Sequence, residues 1–177
     1  MRATEDRNVV LVGMPGVGKT TVGKRLAKAL GRAFVDTDVV IEKSERRSLQ
    51  QLIARDGREG FRALEEAAVA SLDCRGAVIA TGGSVIYGER AMAHLRRHGV
   101  VVHLDLAIDV LERRVGDTVQ RGVVKAEGQT LASLYDERTP LYRRWSDVTV
   151  PVAGRDHEET VRRIVAALAE VDVARAE

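Results

Sequence analysis

The apolar run Val9-Val10-Leu11-Val12 leads directly into Gly13-Met14-Pro15-Gly16-Val17-Gly18-Lys19-Thr20, and helical spacing follows at once. A strand, a glycine-rich loop and a helix in immediate succession are the setting in which G-x-x-x-x-G-K-[ST] binds phosphate. The glycines let the backbone curl around the β- and γ-phosphates with successive N–H groups pointing inward, and the helix adds its positive N-terminal end. Lys19 is placed to neutralise phosphate charge, and the Thr20 hydroxyl to ligate a magnesium ion carried by the nucleotide. The chain is therefore expected to hold a nucleoside triphosphate with Mg2+ through Gly16, Val17, Gly18, Lys19, Thr20 and Thr21. The loop alone names no reaction, because many phosphate-transferring proteins share it.

Beyond the loop, short β-branched runs alternate with longer amphipathic segments, the pattern of a parallel sheet with helices on both faces. Strands are expected at Val9–Val12, Ala33–Asp36, Ala77–Thr81, Val100–Leu104 and Val148–Val152. Helices are expected at Lys19–Leu30, Val39–Glu45, Leu49–Arg55, Arg58–Leu72, Glu89–His98, Ile108–Val115 and Leu131–Trp145, with Gly99 as a helix stop. A last helix from His157 carries Val161, Ile164, Val165 and Leu168 as a core-facing stripe. Gly116 to Thr130 has three glycines, mixed charge and no helical period, and reads as a long mobile lid. A phosphoryl-transfer enzyme needs one to keep water from its triphosphate.

At 177 residues and 45% hydrophobic content the chain can bury one proper core, so a single domain over 1–177 is expected. Lys+Arg 28 against Asp+Glu 26 and only 3% aromatic content speak against a nucleic-acid surface, which would combine a basic stripe with stacking rings. Small anionic ligands met by individual arginines are expected instead. Cys74 is the single cysteine, so no intrachain disulfide or thiolate metal cluster can form. Neither a leader nor a spanning segment is visible, and a cytoplasmic monomer with no membrane association is expected.

Asp36-Thr37-Asp38 closes the second strand, on the sheet edge where ligands of open parallel sheets bind. Asp36 can hold a water of the magnesium shell, and Asp38 can hydrogen-bond an acceptor hydroxyl and draw its proton. The same residues could simply cap the helix that opens at Val39, and spacing alone does not separate the two readings. His94 and His98 stand at i, i+4 without a third ligand nearby, which favours a structural reading. Trp145 reads as a packing residue.

The motifs taken together resemble the shikimate kinase family. The resemblance is carried by GMPGVGKT, Asp36-Thr37-Asp38, Phe61-Arg62-Ala63-Leu64-Glu65, Thr81-Gly82-Gly83-Ser84-Val85, Arg121 in the lid and Arg138-Thr139-Pro140-Leu141-Tyr142, in order over residues 9 to 170. It implies a P-loop NTPase-type three-layer α/β fold, a five-stranded parallel sheet of order 2-3-1-4-5, with a lid at about 116–130 and a substrate-binding helical segment at about 38–72. It implies ATP as donor and shikimate as acceptor, with Asp38 on the ring hydroxyls and as base, and Arg62 and Arg138 clamping the carboxylate. Gly82 and Gly83 would bring backbone N–H groups to the substrate, and Glu65 could orient Arg62 by an i, i+3 contact. Arg121 would swing in to stabilise the transferring phosphate, and Arg114 and Arg155 would lie near the adenine, with Arg113 able to exchange roles with its neighbour.

Two features depart from the family pattern. The glycine turn is one glycine short, ending in Ser84, and the lid reads Gln120-Arg121-Gly122-Val123 without the usual proline, which raises the ordering cost of closure. These departures fit either a divergent shikimate kinase or a kinase of another small carboxylated alcohol. A non-catalytic nucleotide-binding module is disfavoured by the full set Lys19, Thr20, Asp36, Asp38, Arg62, Arg121 and Arg138.

Overall fold

A computed structural model of the chain describes residues 6–115, 127–152, 154 and 156–176. The lid is thus mostly outside the described residues, and so are Arg121 and Arg155. Five strands, β1 (Asn8–Val12), β2 (Phe34–Asp36), β3 (Val78–Ala80), β4 (Gly99–Asp105) and β5 (Val148–Pro151), form one parallel sheet of order β2-β3-β1-β4-β5. All of β1 and β3 and the first six residues of β4 are buried. Such continuous apolar strands, without alternation, need cover on both faces, and the intervening helices provide it.

Helix α1 (Lys19–Leu30) starts at Gly18 and stops at Gly31, both in the left-handed region that glycine adopts without cost. It packs on β3 and against α7 (His157–Ala176), while α4 (Glu89–His98) packs on β1 and β4 beside α3 (Leu49–Ala70). The expected break between two helices at residues 55 to 58 is present as a kink in α3 at Gly57. The remaining helices are α2 (Thr37–Glu45), α5 (Ile108–Val115) and α6 (Leu131–Trp145), the last containing Pro140. In α7 the core stripe is narrower than expected: Val161, Ile164 and Leu168 are buried, but Val165 faces solvent. The helix packs against α1 and β5, and Val165 stands at the solvent side of its apolar stripe.

The register brings the chemistry together. Leu11, Ala80 and Asp36 are paired across β1, β3 and β2, so Gly13, Thr81 and Thr37 leave the sheet side by side. A second small cluster of Ile41, Leu52 and Phe61 ties α2 to α3 above that edge. Phe61 is buried in it, and Glu65, one turn later on the same face, is buried too. The helical segment expected at residues 38–72 is thereby held over the strand ends.

Candidate active site

Lys19 is buried, and its Nζ donates to the carbonyls of Gly13 at 2.7 Å and Met14 at 2.9 Å. The ammonium is therefore held on the phosphate loop itself. Burial lowers its pKa to about 8, with Asp38 pulling the other way. Thr20, beside it, is exposed, and its hydroxyl donates to Asp36 Oδ2 at 2.8 Å. A hydroxyl and a carboxylate this close, at the mouth of the loop, are a donor set that suits Mg2+, which takes one or two protein oxygens and keeps the rest of its shell as water and phosphate.

Asp36 decides the question of capping. Its Oδ1 accepts from the Asp38 N–H at 3.1 Å, which makes Asp36 the N-cap of α2 and leaves Asp38 inside the first turn. The cap expected before Val39 thus falls two residues earlier than Asp38, whose side chain turns inward. Burial raises the Asp38 pKa to about 6, with the negative charge of Asp36 adding to the effect and Lys19 opposing it.

Gly82 lies between two carboxylates. A Cβ there would stand 2.9 Å from Asp38 Oδ1 and would collide with Glu65 Oε1, so only glycine lets both side chains approach. Its N–H is donated to Thr37 Oγ1 at 3.1 Å, which ties the glycine turn to the start of α2. A Cβ on Gly83 would stand 3.0 Å from Arg138 Nη1. The Gly83 carbonyl accepts from the hydroxyl of buried Tyr142 at 2.6 Å, and Tyr142 stacks on His103. Burial holds the His103 imidazole neutral, with a pKa near 4. Arg138, one helical turn before Tyr142, is only 1% exposed. One inward face of α6 thus holds both the glycine turn and a buried guanidinium.

The i, i+3 contact expected between Arg62 and Glu65 is absent among the described residues. Glu65 Oε2 accepts instead from Ser84 Oγ at 2.5 Å, and Arg62 lies over the ring of Tyr87 with its guanidinium carbon 3.7 Å from the centroid. Burial raises the Glu65 pKa to about 7, against the pull of the Ser84 hydroxyl. Arg113 and Arg114 are not interchangeable: Arg113 pairs with Asp109 on the surface at 2.9 Å, whereas Arg114 Nη1 donates to the Val17 carbonyl of the phosphate loop at 3.4 Å. The rings of His94 and His98 meet in a tilted arrangement with centroids 4.8 Å apart on α4, and His94 Nε2 is bonded to the Leu72 carbonyl. Trp145 Nε1 donates to the Ile86 carbonyl.

This arrangement matches known proteins along most of its length. The family model described as shikimate kinase matches residues 15–169. Shikimate kinases of Caldanaerobacter subterraneus and Mycobacterium avium are 36% and 37% identical, over 91% and 94% of this chain and 95% and 96% of theirs. The chain belongs to the shikimate kinase family. A solved shikimate kinase from Acinetobacter baumannii in complex with shikimate superposes with a TM-score of 0.84 at 30% identity, covering 94% of this chain and 95% of that one. The sheet order and the α/β fold implied by the resemblance are those of this family. Among the described residues no helix is long and apolar enough to cross a membrane.

Three residues that hold the site together escape a reading of the sequence. Thr37, between the two aspartates, carries no motif signal for its bond to Gly82. Ser84 reads as a missing glycine rather than as a hydroxyl for Glu65. Tyr87 had one visible sign: it is one of only three tyrosines in a chain poor in rings, placed in a turn beside the glycines.

Proposed function

We propose that this member of the shikimate kinase family transfers the γ-phosphoryl group of ATP to the 3-hydroxyl of shikimate, using the residues assembled at the ends of β1, β2 and β3. The observation that carries the reading is the position of Asp38, beside Gly82 and within electrostatic reach of Lys19, with buried Arg138 against Gly83 next door. A hydroxyl on Asp38 would face a phosphate on Lys19. The acceptor oxygen bonds to the γ-phosphorus as the bond from that phosphorus to the β-bridging oxygen breaks. The hydroxyl proton passes to Asp38, and ADP leaves with the negative charge of the broken bond.

In this reading Gly16, Val17, Gly18, Lys19, Thr20 and Thr21 hold the triphosphate, and Arg114 bonds the loop from the adenine side. Mg2+ would sit with Thr20 and, through water, Asp36, where it neutralises phosphate charge when bound. Arg121 and Arg155 keep the roles the family pattern gives them, at the transferring phosphate and near the base. Arg62 and Arg138 grip the acceptor's carboxylate, which fixes the ring and so the hydroxyl presented. The whole chain acts as one kinase unit, because all five strands belong to one sheet.

ADP release coupled to a reporter, measured with shikimate, quinate and other hydroxy acids, tests the acceptor directly. Shikimate is expected to be preferred. Arg62→Lys should weaken shikimate binding by roughly 10- to 150-fold, the equivalent of one charge-assisted hydrogen bond of about 1.5 to 3 kcal/mol, because an ammonium cannot form the planar fork. The KM for ATP should hardly move. A wild-type protein that ignores shikimate yet phosphorylates another hydroxy acid in an Arg62-dependent way would replace shikimate with that acid and keep the rest of the site.

A further inference from the structure

We propose that Tyr87 is the positioning residue of the carboxylate clamp, holding Arg62 by the flat face of its guanidinium so that the N–H edges stay open for the acceptor; this rests on the reading that Arg62 binds the acceptor's carboxylate.

A clamp arginine must be oriented by something, and the usual orienting group is a carboxylate. A carboxylate would occupy the same planar fork of donors that the substrate needs. An aromatic ring does not, because it is attracted to the face of the cation and leaves the edge free. Arg62 has this second arrangement. Its guanidinium carbon is 3.7 Å from the Tyr87 centroid, that of Arg138 is 5.5 Å from the same ring, and among the described residues no carboxylate lies within ion-pair distance of Arg62. Arg62 Nε is buried without a hydrogen-bond partner.

The turn that follows the glycines produces this on both sides. Ser84 takes Glu65, the carboxylate one turn along from Arg62, into a bond of its own at 2.5 Å. Three residues later Tyr87 supplies the ring, at the end of a 3-10 turn over Val85–Tyr87 in which the Tyr87 N–H donates to the Ser84 carbonyl at 3.1 Å. The ring is itself fixed. Its hydroxyl donates to Glu137 Oε1, and Glu137 Oε2 accepts from Gln129 Nε2 at 2.7 Å. Glu137, next to Arg138 in sequence, is thereby engaged by two donors and does not pair with Arg62. The same short turn withdraws one carboxylate and immobilises another, leaving the edge of the Arg62 guanidinium to an incoming acid.

The test compares Tyr87→Leu, Tyr87→Phe, Arg62→Ala and the Tyr87→Leu/Arg62→Ala double variant in steady-state kinetics and calorimetric titration with shikimate and its methyl ester. Tyr87→Leu is expected to raise the KM and Kd for shikimate by roughly 3- to 30-fold, the range of a partly desolvated cation–π contact, with a smaller change in kcat and none in the KM for ATP. Tyr87→Phe keeps the ring and should restore binding to within about threefold of wild type. With the uncharged ester the penalty of Tyr87→Leu should vanish, and on the Arg62→Ala background the leucine should add nothing. An equal penalty for acid and ester, or an undiminished one without Arg62, would assign Tyr87 to packing alone and overturn the proposal. Should Arg62→Ala itself leave shikimate binding intact, the clamp reading falls, and this inference with it; if Arg62 matters and Tyr87 does not, only this inference falls. Tyr87→Met serves as the unstacked variant if the leucine does not fold, with ATP affinity as the check on folding.

Discussion

Lys19→Met is expected to lower turnover by about a hundred- to a thousandfold or more while the chain stays folded. The ammonium is the phosphate loop's one side-chain charge toward the donor, and a pre-placed charge that strengthens its contact as the phosphoryl group moves is worth that much in a closed site. Stability should respond differently. Holding the ammonium buried, with its pKa lowered from 10.5 to about 8, costs the fold on the order of 3 kcal/mol at any pH below about 8. Against the relief of that cost, the methionine leaves the buried Gly13 and Met14 carbonyls without their donor, at about 1 to 3 kcal/mol for each unsatisfied group. The two terms oppose each other, so the Tm of the variant at pH 7 should lie within a few degrees of wild type. Between pH 8 and 10.5 the unfolded chain holds the proton that the folded one has lost, so wild type gains stability as pH rises and the variant does not. Thermal melts across that range, set beside ADP-release rates, check both halves; near-native turnover would refute the phosphate-loop reading.

Asp38→Asn is expected to cut kcat by about a hundred- to ten-thousandfold with a much smaller change in shikimate affinity, since the amide fills the same space but cannot take the hydroxyl proton. The same residue gives wild type its acid limb. Asp38 must be ionised to act, and burial places its pKa at about 6, so kcat/KM should be level above that pH and fall about tenfold per unit below it. Glu65, with its pKa near 7, lies close by and could be mistaken for the source. Glu65→Gln separates them: the limb should persist in that variant if Asp38 is the base. A kcat/KM that stays flat down to pH 5 in wild type would remove Asp38 from the proton transfer.

The sequence by itself determined what lies within a few residues of chain. Gly18 followed by Lys19 and Thr20 sets the loop and the first turn of α1 whatever surrounds them, because the positive φ of glycine and the helix start are local properties. The buried strands were legible for the same reason, as uninterrupted β-branched runs. The family motifs, met in order, carried the sheet order, which no local rule supplies, and pointed to Arg62 and Arg138 as the proposed acceptor clamp. Tertiary structure decided the pairings between distant residues. Asp36 rather than Asp38 became the helix cap because Asp36 ends a paired strand, with Thr20 on its other oxygen. Gly82 had to be glycine because α2 and α3 bring Asp38 and Glu65 onto it, and Val165, at the edge of the α7 stripe, faces solvent. The choice of Ser84 for Glu65 and of Tyr87 for Arg62 was likewise hidden, since each joins residues 19 or more positions apart whose meeting depends on how the turn after β3 sits over α3. Helical spacing offered Arg62 and Glu65 to each other. A buried hydroxyl and an aromatic ring took them instead.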